Sequence, residues 1–205
     1  FQHAVDDLHG LPPRSGKGAT HPAIAALANG EGRHIGKGNE SVAWSVGNHI
    51  VKRASPVAYH PIHHKVHDDI RVINKRAKDQ ADLSGHFRKA GINATPTEYH
   101  EHEGRGYTVQ PKLDIDSTMN DAQLKELGES VKGMHAQGYE YRDQLQAGLD
   151  DQGKPSIFDL GTVRKGKTQH SEKDDAGSYR NFTREHGSNR RIHDTGFDAL
   201  EDFGG

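Results

Sequence analysis

Two short segments of this sequence carry residues that could bring a phosphate group and a metal ion to the protein. The segment Gly36–Val42 reads GKGNESV, and glycine lets backbone N–H groups approach phosphate oxygens closely because it has no Cβ. Much later in the chain, Asp159 follows the short run Ser156-Ile157-Phe158. An Asp at the end of a short strand can present its carboxylate to Mg²⁺, a hard cation that prefers oxygen ligands.

Two further motifs lie between these segments. Lys52 ends the apolar run Ile50-Val51-Lys52, 14 residues after Gly38, which is a suitable length for one strand, a turn and a returning strand. Asp143 ends the triplet Tyr141-Arg142-Asp143. In this order and spacing the four pieces resemble the protein-kinase family over roughly residues 32–161: Gly36–Val42, Ile50–Lys52, Tyr141–Asp143 and Asp159–Gly161.

The resemblance implies a role for each charged residue. Lys52 corresponds to the lysine that contacts the α- and β-phosphates of ATP, and Asp159 to the aspartate that holds Mg²⁺. Asp143 corresponds to the aspartate that receives or orients the proton of the attacking hydroxyl. The cofactors implied are therefore ATP and Mg²⁺. The sequence departs from the family pattern at Ser41, where a third glycine is usual, and at Tyr141, where histidine is usual.

The same resemblance predicts which residues contact the nucleotide. The segment Tyr107–Leu113 resembles the strand that leads into the kinase hinge, so backbone groups near Gln110 and Lys112 are expected to meet adenine. The full set of predicted ATP-binding residues is Gly36, Lys37, Gly38, Asn39, Val42, Lys52, Gln110 and Lys112.

An acidic turn separates the two aspartates. The stretch Asp150–Pro155 reads DDQGKP and resembles the hairpin turn that follows the catalytic loop in many kinases. Counting back from this turn, Gln146 falls where kinases carry the asparagine that binds the second magnesium. The predicted metal ligands are therefore Asp159 and Gln146. Taken individually, Asp143 and Asp159 are more typical of turn aspartates that cap local N–H groups; their order together with Lys52 and the acidic turn favours catalysis.

The acidic partner of Lys52 is not decided by the sequence. Kinases place a glutamate on the long helix of the N-terminal lobe to hold this lysine. Asp69 lies at about the family's distance after the lysine, Asp79 is better placed relative to Gly91-Ile92, and Asp82 is a third candidate.

The elements that must position these residues follow from hydrophobic periodicity and turn signals. Short strand-like runs come first, with the tight turn Gly47-Asn48 between two of them, and residues 62–90 read as one long helix or a broken pair. Asn120 is placed to cap a second main helix. The pattern predicts an α+β protein with a minimal, bilobal kinase-like fold. It has an antiparallel sheet and one long helix in the N-terminal lobe and a reduced, mainly helical C-terminal lobe.

The chain is expected to form a single kinase-like domain. Residues 1–29 are predicted to be an N-terminal extension with one short helix, about 30–113 the N-terminal lobe, and about 114–205 the C-terminal lobe. Only 44 residues follow Gly161, with no A-P-E triplet among them. Constitutive activity is therefore expected rather than control by a phosphorylated activation segment. Because the sequence begins with Phe1, we expect the native N-terminus to have been trimmed.

Composition excludes several other functions. The chain has no cysteine, which rules out disulfides, cysteine-type zinc sites and thiol nucleophiles. A net charge of -2 gives no steering toward nucleic acid or membrane, and neither is expected as a partner. The 16 histidines include His63 and His67 at helical i, i+4 spacing, but solvated surface histidines are the favoured interpretation there over a metal site.

A short kinase with Tyr-Arg-Asp, Asp-Leu-Gly and no cysteine is similar to the HopBF family of bacterial type III secreted effector kinases. That resemblance implies a virulence factor, secreted by a type III system into the host cell cytoplasm. Its implied substrate is a serine of the host ninety-kilodalton heat-shock chaperone, which it would inactivate. We expect a monomer.

Two other functions remain open from the sequence. A small-molecule phosphotransferase of the aminoglycoside kind would share the four motifs but would need a larger C-terminal lobe. A pseudokinase that binds partners without catalysis is favoured by Ser41, Tyr141 and Gln146, and disfavoured by Lys52 and the two motif aspartates. A related variant of the fold transfers AMP instead of phosphate.

Overall fold

The chain folds into an α+β structure, described by a computed structural model for residues 11–13, 15–37, 41–55, 57–58, 65–66, 69–141, 145–166 and 182. Three α-helices occur in these ranges: α1 (Pro22–Ala28), α2 (Ile70–Lys89) and α3 (Asp121–Ala136). The strands of the first half are β1 (Arg33–Lys37), β2 (Ser41–Val46), β3 (His49–Ala54), β4 (Val57–Ala58), β5 (Lys65–Val66), β6 (Glu98–His102) and β7 (Arg105–Pro111). Those of the second half are β8 (Tyr139–Tyr141), β9 (Ala147–Leu149), β10 (Pro155–Ile157) and β11 (Val163–Lys165), with a 3-10 turn at Leu160–Thr162.

The chain divides into two compact units. The first contains residues 1–83 and 96–112, and the second contains residues 84–95 and 113–205. The boundary falls within α2, between Leu83 and Ser84. The predicted boundaries of the two lobes remain predictions.

A five-stranded antiparallel sheet forms the centre of the first unit, in the order β1-β2-β3-β7-β6. The predicted hairpin between β2 and β3 is confirmed, with Val46 opposite His49. Its turn uses Gly47 at a φ of 55°, a conformation that glycine adopts at little cost. The register of β1 shifts between His34 and Gly36, so one extra residue is accommodated in this edge strand.

The two faces of this sheet have different neighbours. One side, called the Trp44 face, carries Val42, Trp44 and Val51, which pack with Ile24 and Leu27 of α1 into a buried cluster. Trp44 is fully buried, and truncating such a side chain typically costs about 3–5 kcal/mol. The predicted short helix near residues 22–29 is thereby confirmed, and its function is to cover this face.

The other side, called the Lys52 face, is covered in part by α2. Ile73 and Ala77 of the helix pack against Ala54 and the partly buried Tyr99. The helix approaches β7 closely, since a Cβ added at Gly106 would lie 3.1 Å from the Asn74 Cα. The Asn74 side chain also accepts a hydrogen bond from the Gly106 N–H at 2.7 Å.

The predicted helix over residues 62–90 is correct only in its second part. The helix begins at Ile70, and Lys65–Val66 form a two-residue strand paired with Val57–Ala58. The apolar spacing that predicted an earlier start reached back to Val66. That residue is β-branched and fits a strand as well as a helix.

The second unit is built around α3. Asn120 caps this helix as predicted, in a reciprocal capping box with Gln123. Beside it lie two strand pairs, β9 with β10 and β8 with β11. A parallel bridge from Ala94 to Ile157 and an antiparallel one from Asp114 to Leu149 add to the first pair.

The predicted C-terminal lobe is therefore less helical than expected within the described residues. α3 is its longest element, but the two strand pairs were not part of a mainly helical prediction. Such strands are only three residues long, too short for a clear alternation of polar and apolar residues. No helix in the described ranges is both long and apolar enough to cross a membrane.

Candidate active site

Lys52 lies in a row of residues that crosses four strands of the sheet. Gly36 is opposite Ala43, Ala43 is opposite Lys52, and Lys52 is opposite Thr108. Directly paired residues of antiparallel strands project to the same side of a sheet. The register therefore brings Gly36 and Lys52 to the same face, as expected if both contact one ligand.

The surface beside Lys52 is formed by small side chains. Ser41, Ala43 and Ser45 alternate along β2 as half-buried residues on the Lys52 face. A Cβ built on Gly36 would meet no atom within 4 Å. The glycine thus borders open space on the side where Lys52 lies, and a phosphate group could approach the backbone there.

Val42 is not on this surface. It is fully buried on the Trp44 face, in the cluster with α1, and Lys37 is its partner in the sheet register. The structure therefore places the side chains of these two predicted ATP-binding residues away from Lys52. Ala43 takes the position expected of Val42. Gly38 and Asn39 lie outside the described residues.

The two residues predicted near adenine differ in what they can offer. Gln110 is buried and opposite Ile50, which places it on the same face as Lys52. The Lys112 N–H donates to the Asn48 carbonyl at 2.8 Å. That N–H is therefore engaged within the sheet, which removes it as a donor to adenine.

None of the three candidate acids is positioned as a dedicated partner of Lys52. Asp69 pairs with Arg71 at 2.8 Å. Asp79 and Asp82 each pair with a lysine four residues earlier, in Lys75–Asp79 at 2.6 Å and Lys78–Asp82 at 2.8 Å. All three carboxylates are largely exposed. A hydrogen bond from the Arg71 guanidinium is the main cause that lowers the pKa of Asp69.

The stripe of α2 that packs on the Lys52 face instead includes Gln80. Residues three and four apart share one side of a helix, so Gln80 continues the line of Ile73 and Ala77, and it is half-buried. Tyr99, which packs against Ile73 and Ala77, is opposite Thr108 and so lies in the row of Lys52. Gln80 therefore lies on the side of α2 that faces the Lys52 face of the sheet, and a contact between Gln80 and Lys52 is a prediction.

In the second unit, Asp159 has a strained backbone. Its φ and ψ are both 57°, in the left-handed region, which is uncommon for a non-glycine residue although aspartate adopts it more readily than most. Such a conformation persists where the surroundings hold it, and it often marks a functional residue. No sequence signal predicted it.

Tyr141 holds the main chain on both sides of Asp159. Its buried hydroxyl lies 2.8 Å from the Phe158 carbonyl and 2.9 Å from the Asp159 carbonyl. These two carbonyls lie in the peptide planes on either side of the Asp159 Cα. The φ and ψ of Asp159 set the orientation of these planes relative to each other. The single hydroxyl proton is shared between the two carbonyls, and this shared hydrogen bond restrains the main chain on both sides of Asp159. The pairing of Tyr141 with Val163 adds a second restraint on this segment.

Gln146 lies beside the same segment. Its carbonyl accepts a hydrogen bond from the Phe158 N–H at 2.9 Å, which extends the β9–β10 ladder by one residue. The main chain of Gln146 therefore lies next to the residue that precedes Asp159, and the role of its side chain as a metal ligand remains a prediction. Asp143 lies outside the described residues, two positions after Tyr141.

The acidic turn between the two aspartate motifs is a hairpin, as predicted. The Asp150 carboxylate accepts the N–H groups of Gln152 at 3.0 Å and Lys154 at 2.8 Å. The Gln123 side chain donates to the Gly153 carbonyl at 2.7 Å, which fixes the turn to α3. Asp150 is therefore structural, and Asp159 remains the acid of this region with an unusual conformation.

Each unit, taken by itself, carries groups that could bind a ligand. The first offers an ammonium group, a glycine that borders open space and a row of small side chains. The second offers the Asp159 carboxylate, with the main chain of Gln146 paired to the preceding residue, Phe158. These donors match a phosphate group and Mg²⁺, because Mg²⁺ takes carboxylate and carbonyl oxygens and lysine is a common phosphate ligand.

Ala43 and Tyr141 are the site residues that sequence reasoning missed. A simple signal existed for Ala43. Counting the G-x-G-x-x-G-x-V pattern from Gly36 places the last position at residue 43 rather than 42. Tyr141 departs from the family pattern, in which histidine is usual at this position. Nothing in the sequence shows that its hydroxyl contacts the carbonyls of residues 158 and 159.

Comparison with known proteins gives a distant structural similarity and no sequence match. No protein-family model and no curated protein sequence matches the chain. Structures of the bifunctional kinase-methyltransferase WbdD are similar, with TM-scores of 0.44 and 0.47 at 14% and 16% identity. A co-crystal structure of WbdD with the kinase inhibitor LY294002 has a TM-score of 0.47 at 15% identity.

These alignments cover 70–75% of this chain and 34–37% of the WbdD chains. The chain therefore spans about a third of the length of those proteins. TM-scores below 0.5 at such sequence identity do not establish a functional relationship.

Proposed function

We propose that this protein is an ATP-dependent serine/threonine protein kinase with a reduced, kinase-like fold. The observation that carries the proposal is the left-handed Asp159, held through both neighbouring carbonyls by Tyr141. A strained carboxylate held in this way, with Gln146 beside it, is suited to bind a metal ion. The row of Gly36, Ala43 and Lys52 supplies a matching surface for phosphates.

Lys52 fixes the α- and β-phosphates in this proposal, and backbone groups at Gly36 approach the phosphates from the open side. Asp159 and Gln146 hold the metal. ATP supplies the phosphoryl group, and the Mg²⁺ that Asp159 and Gln146 would hold would neutralise charge on its phosphate oxygens. Gln80 orients the Lys52 side chain through its amide in place of the usual glutamate.

The reaction is an in-line displacement. The serine or threonine oxygen of the substrate forms a bond to the γ-phosphorus as the bond from that phosphorus to the β-bridging oxygen breaks. The hydroxyl proton passes to the Asp143 carboxylate, and ADP leaves. Positioning and charge stabilisation provide most of the rate enhancement.

The substrate and setting of the reaction follow from the resemblance to the HopBF family alone. We propose that the protein is a type III secreted effector that acts in the host cell cytoplasm as a monomer. It phosphorylates a serine of the host ninety-kilodalton heat-shock chaperone and inactivates it. The motifs Tyr141–Asp143 and Asp159–Gly161 support this assignment.

An assay of phosphoryl transfer to the purified chaperone tests both the kinase activity and the identity of the substrate. Incubation with Mg-ATP should add a phosphate-sized mass to the chaperone, and Asp159→Asn should slow the transfer at least about 100-fold, or roughly 3 kcal/mol. Transfer by this variant at the wild-type rate would contradict the role of Asp159. If only autophosphorylation or ATP hydrolysis occurs, the kinase proposal stands and the chaperone is not the substrate.

A further inference from the structure

A group of histidines and one glutamate lies on the Trp44 face, away from the row of Lys52. One ligand atom each from His21, Glu98 and His100 lies within 4.8 Å of the others. His21 is the residue that caps α1, whereas Glu98 and His100 alternate along the edge strand β6. Two imidazole nitrogens and one carboxylate oxygen are a donor set that Zn²⁺ uses in proteins.

We propose that His21, Glu98 and His100 form a binding site for a divalent transition metal, with Zn²⁺ as the fitting ion. Three protein ligands leave a fourth tetrahedral position for water. The site joins the segment before α1 to the edge strand of the sheet, and it is separate from the proposed phosphoryl-transfer site.

The surroundings of His100 suit a metal ligand. Its Nε2 lies 3.1 Å from the Glu98 carboxylate, and its Nδ1 lies 3.0 Å from the Thr20 hydroxyl oxygen. When Nε2 binds a metal, Nδ1 carries the proton and can donate it to Thr20. A partner of this kind fixes the ring and strengthens the ligand, and its loss typically weakens metal binding about 10–100-fold.

To bind a metal ion, His21 must give up its hydrogen bond with the Ala23 N–H. Its Nδ1 accepts the Ala23 N–H at 3.1 Å, which caps α1. Metal binding ends this hydrogen bond, since Nδ1 then holds either the metal or the proton displaced from Nε2. The Ala23 amide should therefore report on metal binding even though Ala23 is not a ligand.

Calorimetric titration with Zn²⁺ alone tests the site. The full-length protein is first treated with chelator and desalted. His21→Asn and Glu98→Gln are the test variants, because asparagine preserves the helix cap and glutamine preserves the shape of the side chain. His34→Ala on the opposite edge strand is the control, which matters in a chain with 16 histidines.

We expect wild type and His34→Ala to bind one equivalent of Zn²⁺ at this site. Both test variants should lose that equivalent, and Thr20→Val should bind it about 10–100-fold more weakly. In wild type, zinc should also shift the Ala23 amide resonance. The proposal is overturned if wild type binds no zinc, or if His21→Asn and Glu98→Gln bind it with the wild-type stoichiometry and affinity.

Discussion

The Tyr141 hydroxyl should control both stability and catalysis through Asp159. Tyr141→Phe removes one oxygen atom and leaves the ring in place. The Phe158 and Asp159 carbonyls then lose a donor at 2.8 and 2.9 Å, in a region where Tyr141 is 4% exposed. Losing a buried hydrogen bond of this kind costs about 1–3 kcal/mol.

The effect on activity follows from the backbone of Asp159. Its left-handed conformation is uncommon for a residue other than glycine, and the lost hydroxyl is a restraint on the peptide planes at both sides of its Cα. If Asp159 then occupies the productive conformation only about a tenth of the time, the apparent affinity for Mg²⁺ falls about tenfold. The carboxylate itself is unchanged, so high Mg²⁺ should restore much of the rate.

The assay measures the rate of phosphoryl transfer as a function of Mg²⁺ concentration, together with urea unfolding. Tyr139→Phe is the matched control, because it makes the same change in the same strand. Among the described residues, no hydrogen bond is found to the Tyr139 hydroxyl, and its ring packs edge-to-face on Phe87 at 5.1 Å. We expect this control to behave like wild type in both measurements.

Two results would contradict a role of the Tyr141 hydroxyl in positioning Asp159. If Tyr141→Phe loses stability but keeps the wild-type Mg²⁺ dependence, the hydroxyl supports the fold and does not position Asp159. If it matches Tyr139→Phe in both measurements, the two hydrogen bonds contribute nothing measurable.

Three further predictions concern glycines and one carboxylate. Gly36→Val should raise the KM for ATP about tenfold or more, roughly 1.4 kcal/mol, with unchanged stability because its Cβ meets open space; a wild-type KM would contradict a phosphate contact there. Gly106→Ala should destabilise the fold by about 1–3 kcal/mol, measured by urea unfolding, because its Cβ would lie 2.9 Å from Tyr99 and 3.1 Å from Asn74. The Ser117 hydroxyl, more than the neighbouring N–H groups, lowers the pKa of Asp114 below 3.8. This contribution to stability is present above pH 3.8 and is lost as pH falls through the lowered value. Ser117→Ala should raise that pKa in an NMR titration of the carboxylate.

The sequence predicted the elements with strong local signals. Asn120, followed three residues later by Gln123, is a capping pattern that needs no tertiary context. The hairpin at Gly47-Asn48 likewise follows from turn chemistry. The start of α2 was predicted too early, because the apolar spacing alone does not distinguish a strand at Val66 from a helix turn.

The candidate site was harder to predict, because it depends on register and on contacts across the chain. Val42 and Ala43 are neighbours, and a shift of one residue in a strand exchanges the two faces. The role of Tyr141 depends on a bond to residues 17 and 18 positions later. The acid expected for Lys52 was sought among aspartates, all of which pair with nearby cations.

In the proposed function, Lys52 and Asp159 serve one ATP-dependent phosphoryl transfer. The most direct test is to incubate the protein with Mg-ATP and the purified ninety-kilodalton chaperone and to measure the intact mass of both proteins, with Lys52→Ala and Asp159→Ala alongside. The account predicts a phosphate-sized increase in mass with wild type that both variants abolish. An AMP-sized increase, an increase that persists in either variant, or the absence of both ATP hydrolysis and any ATP-dependent change in mass would contradict it.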